Sequence, residues 1–279
     1  MRSMFTRMNR CATRRAVQPA ATALLALVLF AGVASGVVAQ DGHRAVGQDG
    51  PRVVATTPWT AAFALAAGVR DVHVLAPYEM RHPPEYELRA TDVARVQNAD
   101  LLVFGGYEAM MSRLRDAIGR DSPRMVQIRT DHARTTIAES VMTIALETGT
   151  VPAARANVAE IVAFLDDWRA EIARSRVHDV PVVVHAFQQA IARELGIEPV
   201  GVFGPGPMSA RQISELTQRR PALMVDVWHN EAAGPLRETV PDAVYVSLMN
   251  FPGRDGTRTL MDVLQHKRRA LAEAVAQLE

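Results

Sequence analysis

The chain has 279 residues, 48% of them hydrophobic and 22% charged, which suits one large globular domain or two small ones. Its 31 basic and 30 acidic side chains leave a net charge of +1, so nothing in the balance draws it toward nucleic acid. The one cysteine, Cys11, excludes a disulfide framework, and any metal must be held by histidine and carboxylate rather than thiolate.

Residues 1–20 are basic without an acidic side chain, and the apolar run ATALLALVLFAGVASGVV follows. With Val37 and Ala39 at small-residue positions, the segment 1–39 reads as a secretory signal peptide cut after Ala39, which predicts export to the periplasm. An uncleaved anchor is the alternative. Residues 40–51 read as a flexible tail.

From residue 52 strands and helices alternate. RVVAT, VHVLAP, LLVF and RMVQI predict four strands of a first lobe, 52–150. Between them, Thr57-Pro58 and Thr91-Asp92 open helices, and Gly68 ends the first of these. Val158, Ile161, Val162, Leu165 and Trp168 recur at helical spacing and predict one long linking helix within 151–177. VPVVVH, PVGVFG, ALMVDV and AVYVSLMNF predict the strands of a second lobe, 178–279. Its third helix, NEAAGPLRETV, is expected to be weakened by Gly234-Pro235, and a last helix covers about 257–279. Strands apolar along their whole length belong to parallel sheets covered on both faces. The expected fold class is therefore α/β: two lobes, each a mostly parallel four-stranded sheet flanked by helices, joined by one long helix.

Ligands of such sheets bind beyond the carboxyl ends of the strands. Four of the eight histidines fall there: His82 after the second strand, His132 after the fourth, His185 at the end of the fifth and His229 after the seventh. Each lobe supplies two, so the cleft between lobes is their meeting place. Each also has a plainer reading, as a loop, helix-start, core or packing histidine. Pro83 and Pro84 stiffen the His82 loop, which a metal ligand needs and a solvent-facing histidine does not. Imidazoles with a carboxylate or water suit Zn2+, and also Mn2+, Ni2+ or Fe2+.

The stretch HPPEYELRATDVARVQNADLLVFGG, with Leu88-Arg89-Ala90-Thr91-Asp92 and Val96-Gln97-Asn98-Ala99-Asp100, resembles the substrate-binding proteins of zinc and manganese ABC importers. SARQISEL at 209–216 and VVVHAFQQAIARELGI resemble two further segments of that family, and the likeness covers nearly all of 52–279. The resemblance implies two α/β lobes bridged by a rigid helix, with one metal ion between them. It carries the family's first histidine to His82, the second to His132 in the shortened motif Asp131-His132, and the third to His185. The family's acidic ligand falls on Asn250, so the fourth ligand is expected from His229, with Asp226 as the alternative. The family's histidine-rich loop is missing.

The expected function is an exported, monomeric solute-binding protein, not an enzyme, that captures a divalent metal, with zinc foremost, and delivers it to a membrane permease. Glu85 or Asp226 is expected to orient the imidazoles, and affinity to fall as pH drops through about 6.5. The competing readings are a carrier for a bulkier ligand (cobalamin, haem or a siderophore), with Trp59 and Trp228 in an aromatic cleft, and a zinc-dependent hydrolase using Asp226 or Glu231 as base.

Overall fold

A computed structural model describes residues 50–120 and 122–278. The expected signal peptide, nearly all of the tail and Cys11 lie outside the described residues. Among the described residues no helix is long and apolar enough to cross a membrane.

The strands form two sheets of the same design. β1 (Val53–Ala55), β2 (Val72–Val74), β3 (Leu101–Phe104) and β4 (Arg124–Gln127) pair in the order β2-β1-β3-β4. β5 (Val182–His185), β6 (Gly201–Phe203), β7 (Leu223–Val227) and β8 (Val244–Leu248) pair as β6-β5-β7-β8. Every pairing is parallel, as the unbroken apolar runs predict. Successive residues of a strand serve two different cores. Val53, Leu101 and Val103 face a central core, while Val54 and Leu102 face the outer one of the first lobe. Val182, Val184, Leu223 and Val225 join the central core from the second lobe, and Val183 and Met224 face its outer one.

The helices fill in around this. α1 (Pro58–Ala66) starts in a capping box: Thr60 N–H donates to Thr57 Oγ1 (3.3 Å) and Thr57 N–H to Thr60 Oγ1 (3.1 Å). α2 (Ala90–Gln97) and α3 (Met111–Ile118) cover the outer face of the first sheet through Val96, Met111, Leu114 and Ile118. α4 (Arg134–Thr148) stops at Gly149, whose φ of +72° is the left-handed turn that lets the chain reverse at once into the linking helix. That helix, α5 (Val151–Ala173), runs 23 residues, about 34 Å. It buries Ala154, Ile161, Leu165, Trp168 and Ile172 in the central core, which both sheets share. One unbroken apolar core therefore ties the lobes along α5.

In the second lobe, α6 (Gln189–Glu194) follows a short 3-10 turn, and α7 (Ala210–Gln218) is capped by Ser209. α8 (Gly234–Thr239) departs from expectation. Gly234-Pro235 does not weaken it but starts it, because a proline in a first turn loses no helical hydrogen bond. α9 (Leu260–Val275) lays Leu260, Leu264, Leu271 and Ala274 into the central core.

A cleft at the two switch points of the sheets

In each sheet the chain steps outward to one side of its first strand, then returns to the other. The crevices so created lie beyond the carboxyl ends of β1 and β3, and of β5 and β7. These four ends lead into Trp59 on α1, Tyr107, Phe187 and His229, and all four residues line one cleft of about 420 Å³. His82 and Asn250 complete its wall.

His229 sits in a 3-10 turn, Trp228–Asn230, directly after β7. Its ring is boxed by Trp59 (centroids 5.0 Å apart, edge to face), Phe187 (5.7 Å, stacked) and Phe251 (5.3 Å). Nδ1 is buried with no hydrogen-bond partner in the protein. Burial, reinforced by His185, His82, Lys267 and Arg81, pushes its pKa down to about 3.

His132 is 4% exposed and leaves Nε2 buried and unpartnered. Burial first, and then Lys267, hold it well below the ordinary histidine range. Asp131, beside it on the cleft wall, accepts from Ala133 N–H (3.1 Å) and from Thr136 Oγ1 (3.0 Å), which fixes the loop entering α4.

His185 ends β5 and is fully buried. Phe187 N–H donates to its Nδ1 (3.0 Å), so the neutral ring carries its proton on Nε2. That Nε2–H has no acceptor and packs against Gly204, where a side chain would overlap the ring. Burial lowers its pKa, against a partial pull upward from Asp226.

His82 is exposed and lines the cleft. The double proline does more than stiffen the loop: it forms a 3-10 turn, Pro83–Glu85, with Glu85 N–H donating back to His82 O (3.0 Å). Next to it, Arg81 reaches the other lobe, donating to Trp228 O through Nη2 (2.8 Å) and Nε (3.2 Å) and pairing with Glu231 (3.5 Å).

The four predicted histidines are thus found in the cleft or directly behind it, but they do not form a ready coordination sphere. Among the described residues no three His, Cys, Asp or Glu side chains gather closely enough to hold a metal ion. The expected carboxylate support is also absent. Asp226 is fully buried, and its oxygens accept from Val227 N–H (2.8 Å), Ala232 N–H (3.0 Å), Ala233 N–H (2.9 Å) and Tyr245 Oη (3.4 Å). It staples the loop that carries His229 and has no hydrogen bond to an imidazole. Glu85 stands exposed, likewise without one. Burial keeps His132, His185 and His229 neutral below the ordinary histidine value.

One group escaped the sequence reading. Lys267, the only lysine in the chain, is 1% exposed on α9. It donates to Gln188 Oε1 (2.9 Å) and to Asn250 Oδ1 (2.7 Å), and Asn250 Nδ2 donates to Phe187 O (3.3 Å). Desolvation drives its pKa well down. The signal was there: Lys267 occupies a core position of the helical pattern Leu260, Leu264, Leu271, Ala274.

No protein-family model matches the chain, and no curated protein matches it in sequence. Solved structures do match. The SBP FpvC of Pseudomonas aeruginosa in complex with Mn2+ superposes with a TM-score of 0.65 at 17% identity, over 82% of this chain and 99% of that one. The laminin-binding protein Lbp of Streptococcus pyogenes gives 0.63 at 16% identity over 81% and 99%. The Zn(II)-bound ZnuA-like domain of Streptococcus pneumoniae AdcA gives 0.58 at 18%, over 81% and 99%. What these likenesses establish is a shared fold: the chain has the two-lobed, helix-linked α/β architecture of proteins solved with manganese or zinc bound.

Proposed function

We propose that the protein is an exported solute-binding protein that captures a divalent transition metal, zinc foremost, in the cleft and passes it to an ABC importer permease. The observation that carries this reading is three buried imidazoles, His132, His185 and His229, each with a ring nitrogen lacking any partner. Burying a polar nitrogen unpaired is costly, and His229 brings such a nitrogen to the cleft wall, with His132 and His185 buried behind it. All three are held neutral, the form a metal requires. The fold likeness to proteins solved with Mn2+, Ni2+ and Zn(II) supports the same conclusion.

His132 and His229 offer nitrogens free of any competing bond. His82 joins from its braced loop. His185 contributes only if Phe187 N–H releases Nδ1 and the proton moves there from Nε2. The protein acts as a carrier rather than a hydrolase, since both candidate bases are occupied: Asp226 by backbone amides, Glu231 by Arg81 and the Ser247 hydroxyl.

Calorimetric titration of chelator-stripped protein with zinc, manganese and nickel tests this. One tight site is expected, weakened more than about 100-fold by His132→Ala or His229→Ala. Trp59 emission should change on loading, because its ring abuts His229. Absence of binding by all three ions would overturn the proposal.

A further inference from the structure

Resting on the cleft as the ligand site, we propose that Lys267 is a positioning residue for it: one buried amine fixes the turn after β5, and with it the Phe187 face that lies against His229. The bonds that do this start from two backbone carbonyls, which can only accept. Gln188 Nε2 donates to Leu248 O (3.3 Å), and Asn250 Nδ2 donates to Phe187 O (3.3 Å). Each amide is thereby oriented, and its oxygen is left for another donor. Both oxygens find that donor in Lys267 Nζ, 2.9 Å from Gln188 Oε1 and 2.7 Å from Asn250 Oδ1. Two acceptors cannot bond each other, so the place between them calls for one atom that donates in two directions. A primary amine does this, whereas an apolar side chain would leave two oxygens unpaired among buried residues.

What the network holds is the cleft wall. It ties α9 and the end of β8 to the turn Ala186–Gln188. Phe187 and Asn250 both line the cleft. The Phe187 backbone is held on both sides: its carbonyl accepts from Asn250, and its N–H donates to His185 Nδ1 (3.0 Å). Its ring stacks on that of His229, with centroids 5.7 Å apart and planes within 7°. Lys267 thus acts on two imidazoles, through Asn250 and then Phe187.

The test reads the Phe187–His185 hydrogen bond in metal-free protein, by the nitrogen–nitrogen NMR coupling transmitted across it, and reads the cleft separately by zinc titration. Lys267→Met keeps the apolar stem and removes both donors. It should diminish the coupling and weaken zinc by about 10-fold or more, as loss of an outer partner of a metal ligand does. Leu271→Ala, a buried position one turn along α9, destabilises the same helix and should leave both readouts as in the wild type. Asn250→Ala cuts the next link with the lysine in place and should also diminish the coupling, so it decides the matter if Lys267→Met does not fold. A coupling unchanged in these two variants, or diminished equally in Leu271→Ala, overturns the proposal, as does zinc affinity that Lys267→Met leaves intact. If the wild type binds no zinc, the metal reading fails and the coupling alone decides the role of Lys267.

Discussion

Single residues around the cleft are held by contacts that substitutions can address one at a time. Gly204 has φ +68°, a region costly for any residue with a side chain, and a Cβ there would overlap the His185 ring. The ring cannot swing away freely, because Phe187 N–H holds its Nδ1. Gly204→Ala is therefore expected to cost about 2–4 kcal/mol from backbone strain and overpacking together, lowering Tm by roughly 5–15 °C. Gly206→Ala, with open space around it, is the control and should leave Tm unchanged. Equal Tm values for the two variants, read by calorimetry, would show that the His185 ring is not confined as described. The residue scale is also where sequence reading reached least far. Placing His82, His132, His185 and His229 at strand ends needed only the rule that parallel sheets bind ligands there. Which nitrogen each ring presents depends on backbone amides such as Phe187 N–H, and no pattern in the chain records that. Asp226 illustrates the same limit, since its place at the end of β7 suggested a ligand or a partner for an imidazole while its oxygens serve the amides of Val227, Ala232 and Ala233.

Elements were far more legible. LLVF is β3 in full, and the apolar spacing Ile161, Leu165, Trp168 is the buried stripe of α5. The reason is physical: a strand buried on both faces must be apolar throughout, and a helix against a core must repeat its apolar positions. Where an element is short, its caps decide it, and there the reading slipped. Gly234-Pro235 opens α8 because Pro235 falls in the first turn rather than inside the helix. Lys267 hid for the opposite reason. On α9 it breaks the apolar pattern at a core position, and only the side chains of Gln188 and Asn250, brought from other parts of the chain, make that position habitable. The aromatic wall was legible only in part. Trp59 stands out by itself, but Tyr107 and Phe187 line the cleft from the segments after β3 and β5, and Phe251 packs behind Trp59, which only the fold brings together.

At the scale of the whole molecule, one apolar core continues from lobe to lobe along α5, and Arg81 bridges to Trp228 at the cleft. Lobes joined in this way hold the walls of the cleft in place, and the unpaired buried imidazoles weigh on stability. In the unfolded chain a histidine takes up a proton near pH 6.5, while folded His229 does so only near 3. Between these values the unfolded state binds more protons, so His229 favours folding fully above about pH 6.5 and loses that contribution as pH falls toward 3. His132 and His185, lowered in the same direction, add to the slope. Urea midpoints of metal-free protein should fall steadily from pH 7 to pH 4, and His229→Phe should flatten the curve; a midpoint independent of pH would contradict the burial of neutral rings. The central claim, that these rings exist to hold a metal, is tested most directly by X-ray absorption at the zinc edge of loaded protein. The account predicts nitrogen scatterers at about 2.0–2.1 Å with the outer-shell pattern of at least two imidazoles, reduced in His229→Ala. A shell of oxygen atoms alone, with no imidazole pattern, would contradict it.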